Sequence, residues 1–142
     1  MGRFLFTCAI ATWLGTAVSF SYVFLPAIHS IMEGTPARHL LQRLFRHYYL
    51  IGIVCGLIAL AAIASAPPAP SLPFYQRVGL ALPVAFALLC ALATREFLLP
   101  RMGNIFAEKE PETYARMHRY AAMLNTTMLA MLILVVAALS TR

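Results

Sequence analysis

The chain has 142 residues, 61% of them hydrophobic and 11% charged, and a mean hydropathy of +0.78. So much apolar sequence exceeds what a soluble domain of this length can bury; it fits a bilayer protein whose helices each need about 20 apolar residues to cross. The formal charge of +6 would suit nucleic acid, but the arginines stand at the ends of apolar stretches and form no basic stripe interleaved with aromatics, which excludes that partner.

The first span is expected over residues 4–28. Arg3 before an apolar run, with small residues at Ala17-Val18-Ser19, imitates a secretory signal. The run continues past that point to Pro26, as an anchored helix does, so the span is expected to be retained. Gly34-Thr35-Pro36 reads as a loop. It is followed by a basic amphipathic stretch, Ala37 to Arg46, with Leu40, Leu41, Leu44 and Phe45 on one face and Arg38, Gln42, Arg43 and Arg46 on the other, the pattern of a helix lying at the bilayer surface.

The second span is expected over residues 47–66, with Tyr48 and Tyr49 at the aromatic-belt position and Gly52, Gly56 and alanines giving a small-residue face for close helix contact. The Pro-rich run from Pro67 to Pro73 makes a stiff turn. The third span, residues 77–99, carries Pro83, which predicts a kink. A polar loop from Pro100 to Arg116 then leads to the fourth span, residues 117–140. The expected fold is therefore all-α, a single integral membrane four-helix bundle in a plasma or inner membrane.

With four spans, both termini share one side with the Pro-rich turn. That side holds Arg3, Arg77 and Arg142, whereas the other holds Arg38, Arg43, Arg46, Arg95, Arg101, Lys109, Arg116 and Arg119. The positive-inside rule places the second group in the cytoplasm and both termini outside.

No metalloprotease, serine-hydrolase or phosphate-loop motif occurs, so hydrolase and kinase chemistry have no foothold. Cys8, Cys55 and Cys90 lie in apolar segments without CxxC spacing and are expected to be free thiols. Met117, Met123, Met128 and Met131 do not share one narrow face and are expected to pack or meet lipid. His47 and His118 open the second and fourth spans from the same side and are candidate metal or haem ligands, with His29 as a third. Asn125 follows His118 by seven residues and so points the same way; a polar side chain within a span faces the bundle interior or a cavity. Asn125, Glu96 and Arg101 are the candidate helix-bridging polar groups, and Glu96 is expected to pair locally with Arg95.

Thr12-Trp13-Leu14-Gly15, Leu44-Phe45-Arg46-His47, Leu98-Leu99-Pro100-Arg101 and the His118 to Asn125 spacing occur in an order that resembles the small four-span proteins grouped with transmembrane protein 205, a domain of unknown function. The resemblance implies no agreed activity. Through its namesake's association with platinum-drug resistance, it implies a role in metal or toxic-compound tolerance. Where that family carries a small hydroxyl residue between the His and the Asn, this chain has Ala121-Ala122. Two other readings stand beside tolerance. One is a non-catalytic assembly or scaffold subunit that packs its glycine face on a membrane-protein partner or a second copy; the other is a haem- or metal-using oxidoreductase.

Overall fold

The computed structural model describes residues 2–31, 35–65, 74–102 and 111–140. Among the described residues, five α-helices, two π-helical turns and the helical residues 99–102 build four spans. The first span consists of α1 (Gly2–Ser19), a π-helical turn (Phe20–Phe24) and α2 (Leu25–Ile31). The second is α3 (Thr35–Ala64). The third is α4 (Phe74–Ala93), a second π-helical turn (Thr94–Leu98) and helical residues 99–102. The fourth is α5 (Pro111–Ser140). Four segments are long and apolar enough to cross a membrane: Gly2–Ile28, His39–Ala64, Phe74–Met102 and Ala115–Ser140. Among the described residues there is no strand, and the architecture is an all-α four-helix membrane bundle.

Some boundaries differ from the sequence reading. The basic stretch Ala37 to Arg46 is not a separate surface helix: it forms the first turns of the continuous α3. It contains neither Gly nor an internal Pro to stop the helix, so its turns propagate into the span. The fourth helix likewise begins at Pro111 rather than Met117, because Pro is well suited to the first position of a helix. The Pro-rich run lies outside the described residues. α4 runs unbroken through Pro83; the residue four positions earlier is Gly79, beside which there is open space, where the proline ring would otherwise crowd the preceding turn. The departure from α geometry in this span falls at Thr94–Leu98.

Each span packs on the next and the first meets the fourth, so the second and fourth oppose each other across the diagonal. The contact seams follow a heptad-like alternation of three and four residues, the spacing that keeps one stripe of a helix against its neighbours. In α1 the buried residues Phe6, Ile10, Trp13, Ala17 and Phe20 follow it. In α5 the half-buried Asn125 leads into buried Met128, Leu132 and Val135. In α4 the seam runs through Leu80, Val84, Ala87, Ala91 and Thr94, and after the π turn it resumes at Leu99 and Met102, one residue late. A π turn inserts one extra residue, which accounts for that offset. The outer faces are as apolar as the core, with Phe4, Val54, Leu57, Leu82, Leu89 and Leu134 exposed, as lipid contact requires.

The small-residue face of the second span has an occupant from the same chain. Trp13 is 1% exposed, and its indole lies over Gly52 and Gly56. A Cβ at Gly52 would stand 2.5 Å from Trp13 Nε1, and one at Gly56 2.9 Å from Trp13 Cζ3 and 3.1 Å from Leu88 Cδ1. The face expected to seat another membrane protein is therefore filled by the first span. Gly52→Ala is expected to destabilise the bundle by about 1–3 kcal/mol through overpacking. In a Trp13→Ala background the same change should become neutral or stabilising, since the clash is gone and Ala is the better helix former. Unfolding of the two single variants and the double variant in detergent micelles measures the reversal.

Candidate functional site

Asn125, half-buried on the seam of α5, is the polar group that joins three spans. Its Oδ1 accepts a hydrogen bond from the Tyr48 hydroxyl at 2.7 Å, and its Nδ2 donates to Ser21 Oγ at 3.1 Å. One amide thus ties the fourth span to the second and the first. The second and fourth spans are diagonal partners, and a Tyr side chain is long enough to bridge them. Ser21 reaches inward from the π turn: a regular helix would carry the seam from Phe20 to Phe24, whereas Phe24 is 54% exposed and the half-buried Ser21 and Leu25 take the inner positions.

Tyr48 and Tyr49 turn into the bundle, 4% and 2% exposed. Adjacent helix positions point about 100° apart, so the pair serves two sides of the bundle. Tyr49 hydrogen-bonds the Thr94 side chain in the π turn of the third span, and the Thr94 hydroxyl donates to the Cys90 carbonyl at 2.8 Å. One π turn thus presents a hydroxyl to Tyr49, and the other presents one to the Asn125 amide that Tyr48 also bonds. Around the tyrosine pair, Phe20 stacks on Tyr48 with centroids 4.7 Å apart, Phe45 lies 4.9 Å from Phe20, and Tyr48 meets Tyr49 edge-on at 4.7 Å.

Above Asn125 the spans part into a cleft of about 180 Å³. Phe20, Leu25, Phe45, Tyr49 and the two alanines Ala121 and Ala122 form its walls, and Ser21, Asn125, Thr126 and His118 supply polar atoms. The Thr126 hydroxyl donates to the Ala122 carbonyl at 2.9 Å, which leaves its oxygen able to accept. His118 is exposed at the rim. His47 does not line the cleft; it is exposed and its Nδ1 lies 2.9 Å from the Arg43 carbonyl, so the structure gives the two candidate ligands separate surroundings. The His29 side chain lies outside the described residues. Arg95 and Glu96 form a local ion pair, Nε to Oε1 at 3.5 Å. Arg101 is exposed, and all three cysteines are free. Among the described residues no group of three or more His, Cys, Asp or Glu could hold a metal ion.

Sequence reasoning missed Ser21, Tyr48 and the Tyr49–Thr94 pair as functional groups. The available signal was the seam: the spacing through Gly52 and Gly56, carried back toward the start of α3, places the tyrosines inside the bundle.

Bundle and cleft together define a multi-pass integral membrane protein with a small polar-floored cleft between spans. The chain belongs to the DUF4149 family, a domain of unknown function whose model matches residues 8–111. That match supports the likeness to a domain of unknown function and does not carry the narrower likeness to transmembrane protein 205. It takes in the first three spans and ends where α5 begins, so His118 and Asn125 lie beyond it. No curated protein and no solved structure matches the chain.

Tyr48→Phe and Asn125→Ala are each expected to cost about 1 kcal/mol, the scale of hydrogen bonds between membrane helices. The double variant should cost less than their sum, because the two groups share one bond. Unfolding of the three variants in micelles gives the coupling; full additivity would contradict the bond.

Proposed function

We propose that the protein binds a small amphipathic compound in the cleft between the first, second and fourth spans, and that it contributes in this way to toxic-compound tolerance. The observation that supports the reading is the cleft itself, with its apolar, largely aromatic walls and polar floor at Ser21 and Asn125. A volume of about 180 Å³ suits a single ring, since an apolar cavity of about 150 Å³ takes benzene. The walls would bury the ring and the floor would pair its hydroxyl or amine, the usual division of labour in a small-molecule site. The sequence resemblance, through its namesake's association with drug resistance, agrees with this.

The metal form of the reading uses His47 and His118, which lie on the diagonal second and fourth spans at the same end of the bundle. In its favour, the Nδ1 of His47 lies against a backbone carbonyl, an arrangement that orients a ligating imidazole through its other nitrogen. Two imidazoles would leave the remaining positions to solvent or cargo. The cleft supports the organic compound more strongly, because its lining is mainly carbon. On the charge count, we place the end carrying His47, Arg95 and His118 in the cytoplasm.

Phenol added to the micellar protein should give a saturation-transfer signal that Ala121→Phe, which fills the cleft, abolishes. Asn125→Leu should weaken binding roughly tenfold through a lost hydrogen bond. An undiminished signal from Ala121→Phe would sink the reading, and cells lacking the protein that show unchanged sensitivity to phenols would remove its tolerance part. Metal analysis beside this, on wild type, His47→Ala and His118→Ala, decides the metal form: it requires metal that both replacements remove. For orientation, a phosphatase active only outside the cytoplasm should be active when fused to the carboxyl terminus, and a fluorescent protein that folds only in the cytoplasm should stay dark there.

A further inference from the structure

A second concavity, separate from the cleft, lies between the first turns of α3 and the end of the third span. It is a groove of about 310 Å³. Gln42, Arg43 and Arg46 come from α3, and Arg95 and Glu96 from the π turn, with Leu99 and Pro100 as an apolar wall. Arg43 and Arg46 are three residues apart and so share a helix face. Among the described lining residues, three guanidinium groups thus meet a single carboxylate. Arg95 Nε is shielded from solvent and has no hydrogen-bond partner; its 3.5 Å distance to Glu96 Oε1 is an ion-pair contact and too long for a good hydrogen bond. The groove therefore keeps an excess of positive charge around a space large enough for an oxyanion, and Glu96 leaves the Arg95 guanidinium only partly satisfied.

We propose that this groove binds the phosphate of an anionic phospholipid headgroup. Guanidinium forks match phosphate oxygens in pairs, and the Gln42 amide adds a neutral donor. The groove lies toward the shared end of the second and third candidate spans, His39–Ala64 and Phe74–Met102, and basic pockets between spans near headgroup depth suit lipid phosphates. Leu99 and Pro100 give the glycerol and first acyl carbons an apolar surface, which a free phosphate would not use. Glu96 opposes the anion from one side, and the described lining residues keep two net positive charges.

The test uses the full chain in mild detergent, with native mass spectrometry and thermal unfolding in the presence of phosphatidylglycerol, phosphatidylcholine or inorganic phosphate. Phosphatidylglycerol is expected to remain bound and to raise the unfolding temperature, while phosphatidylcholine and inorganic phosphate do neither. Arg43→Gln with Arg46→Gln should weaken phosphatidylglycerol about thirtyfold, at about fivefold per arginine, with unchanged helicity by circular dichroism. Arg95→Gln should also weaken it, whereas Arg119→Gln, at the same end but outside the groove, should leave it unchanged. Equal protection by inorganic phosphate, equal retention of phosphatidylcholine, or wild-type affinity in the double variant would each overturn the proposal.

Discussion

A primary amide between helices of a bilayer protein must find its hydrogen-bond partners on neighbouring spans, at about 1 kcal/mol per bond. Asn125 imposes that constraint on the whole bundle. Its two partners, Tyr48 and Ser21, sit on different spans, so satisfying one side chain fixes the rotation of three helices at once. A one-residue turn of α5 would swing the amide about 100° away from both. The π turn at Phe20–Phe24 follows from the same constraint: by widening the helix one residue before Phe24 would come round, it brings a hydroxyl to the amide and sends the phenyl ring to lipid.

Packing does the rest. Helices in lipid gain little from hiding apolar surface, since the solvent is itself apolar, and association depends on close van der Waals fit. The fit here is one large residue against two absent side chains: the Trp13 indole lies where Cβ atoms of Gly52 and Gly56 would be. Trp13 and Phe20 are seven residues apart on one seam, so the indole seat and the aromatic cluster around Tyr48 form a continuous interface between the first and second spans. The Asn125 bridge lies at one end of that interface, which couples polar registration to apolar packing.

The four long apolar helices and the all-α character were legible because apolar runs of this length have one common outcome in a bilayer. Asn125 was legible as a polar group in an apolar run. Its partners were not: Ser21 faces inward only because of a π turn, and no residue in Phe20–Phe24 announces that turn as a Gly or Pro announces a break. Tyr48 and Tyr49 misled for a related reason. Tyrosines near a span end are common at the headgroup boundary, where they face lipid, but here the α3 seam turns both rings into the bundle, 4% and 2% exposed. The basic stretch misled in the same way, since an amphipathic pattern at a bilayer surface and the first turns of a long crossing helix look alike until the helix is seen to continue.

The cleft and the basic groove lie toward the same end of the bundle but rest on different supports. The groove uses only residues 42–100, all within the stretch that matches the family. The cleft takes His118, Ala121, Ala122, Asn125 and Thr126 from the fourth span, beyond that stretch. The tyrosine pair connects them. Tyr48 and Tyr49 follow Arg46 by two and three residues on one rigid helix, and Tyr49 is held by Thr94, the neighbour of Arg95. A shift of α3 against the third span at the groove would thus move the wall of the cleft, whereas a change confined to α5 reshapes the cleft and leaves every groove side chain in place.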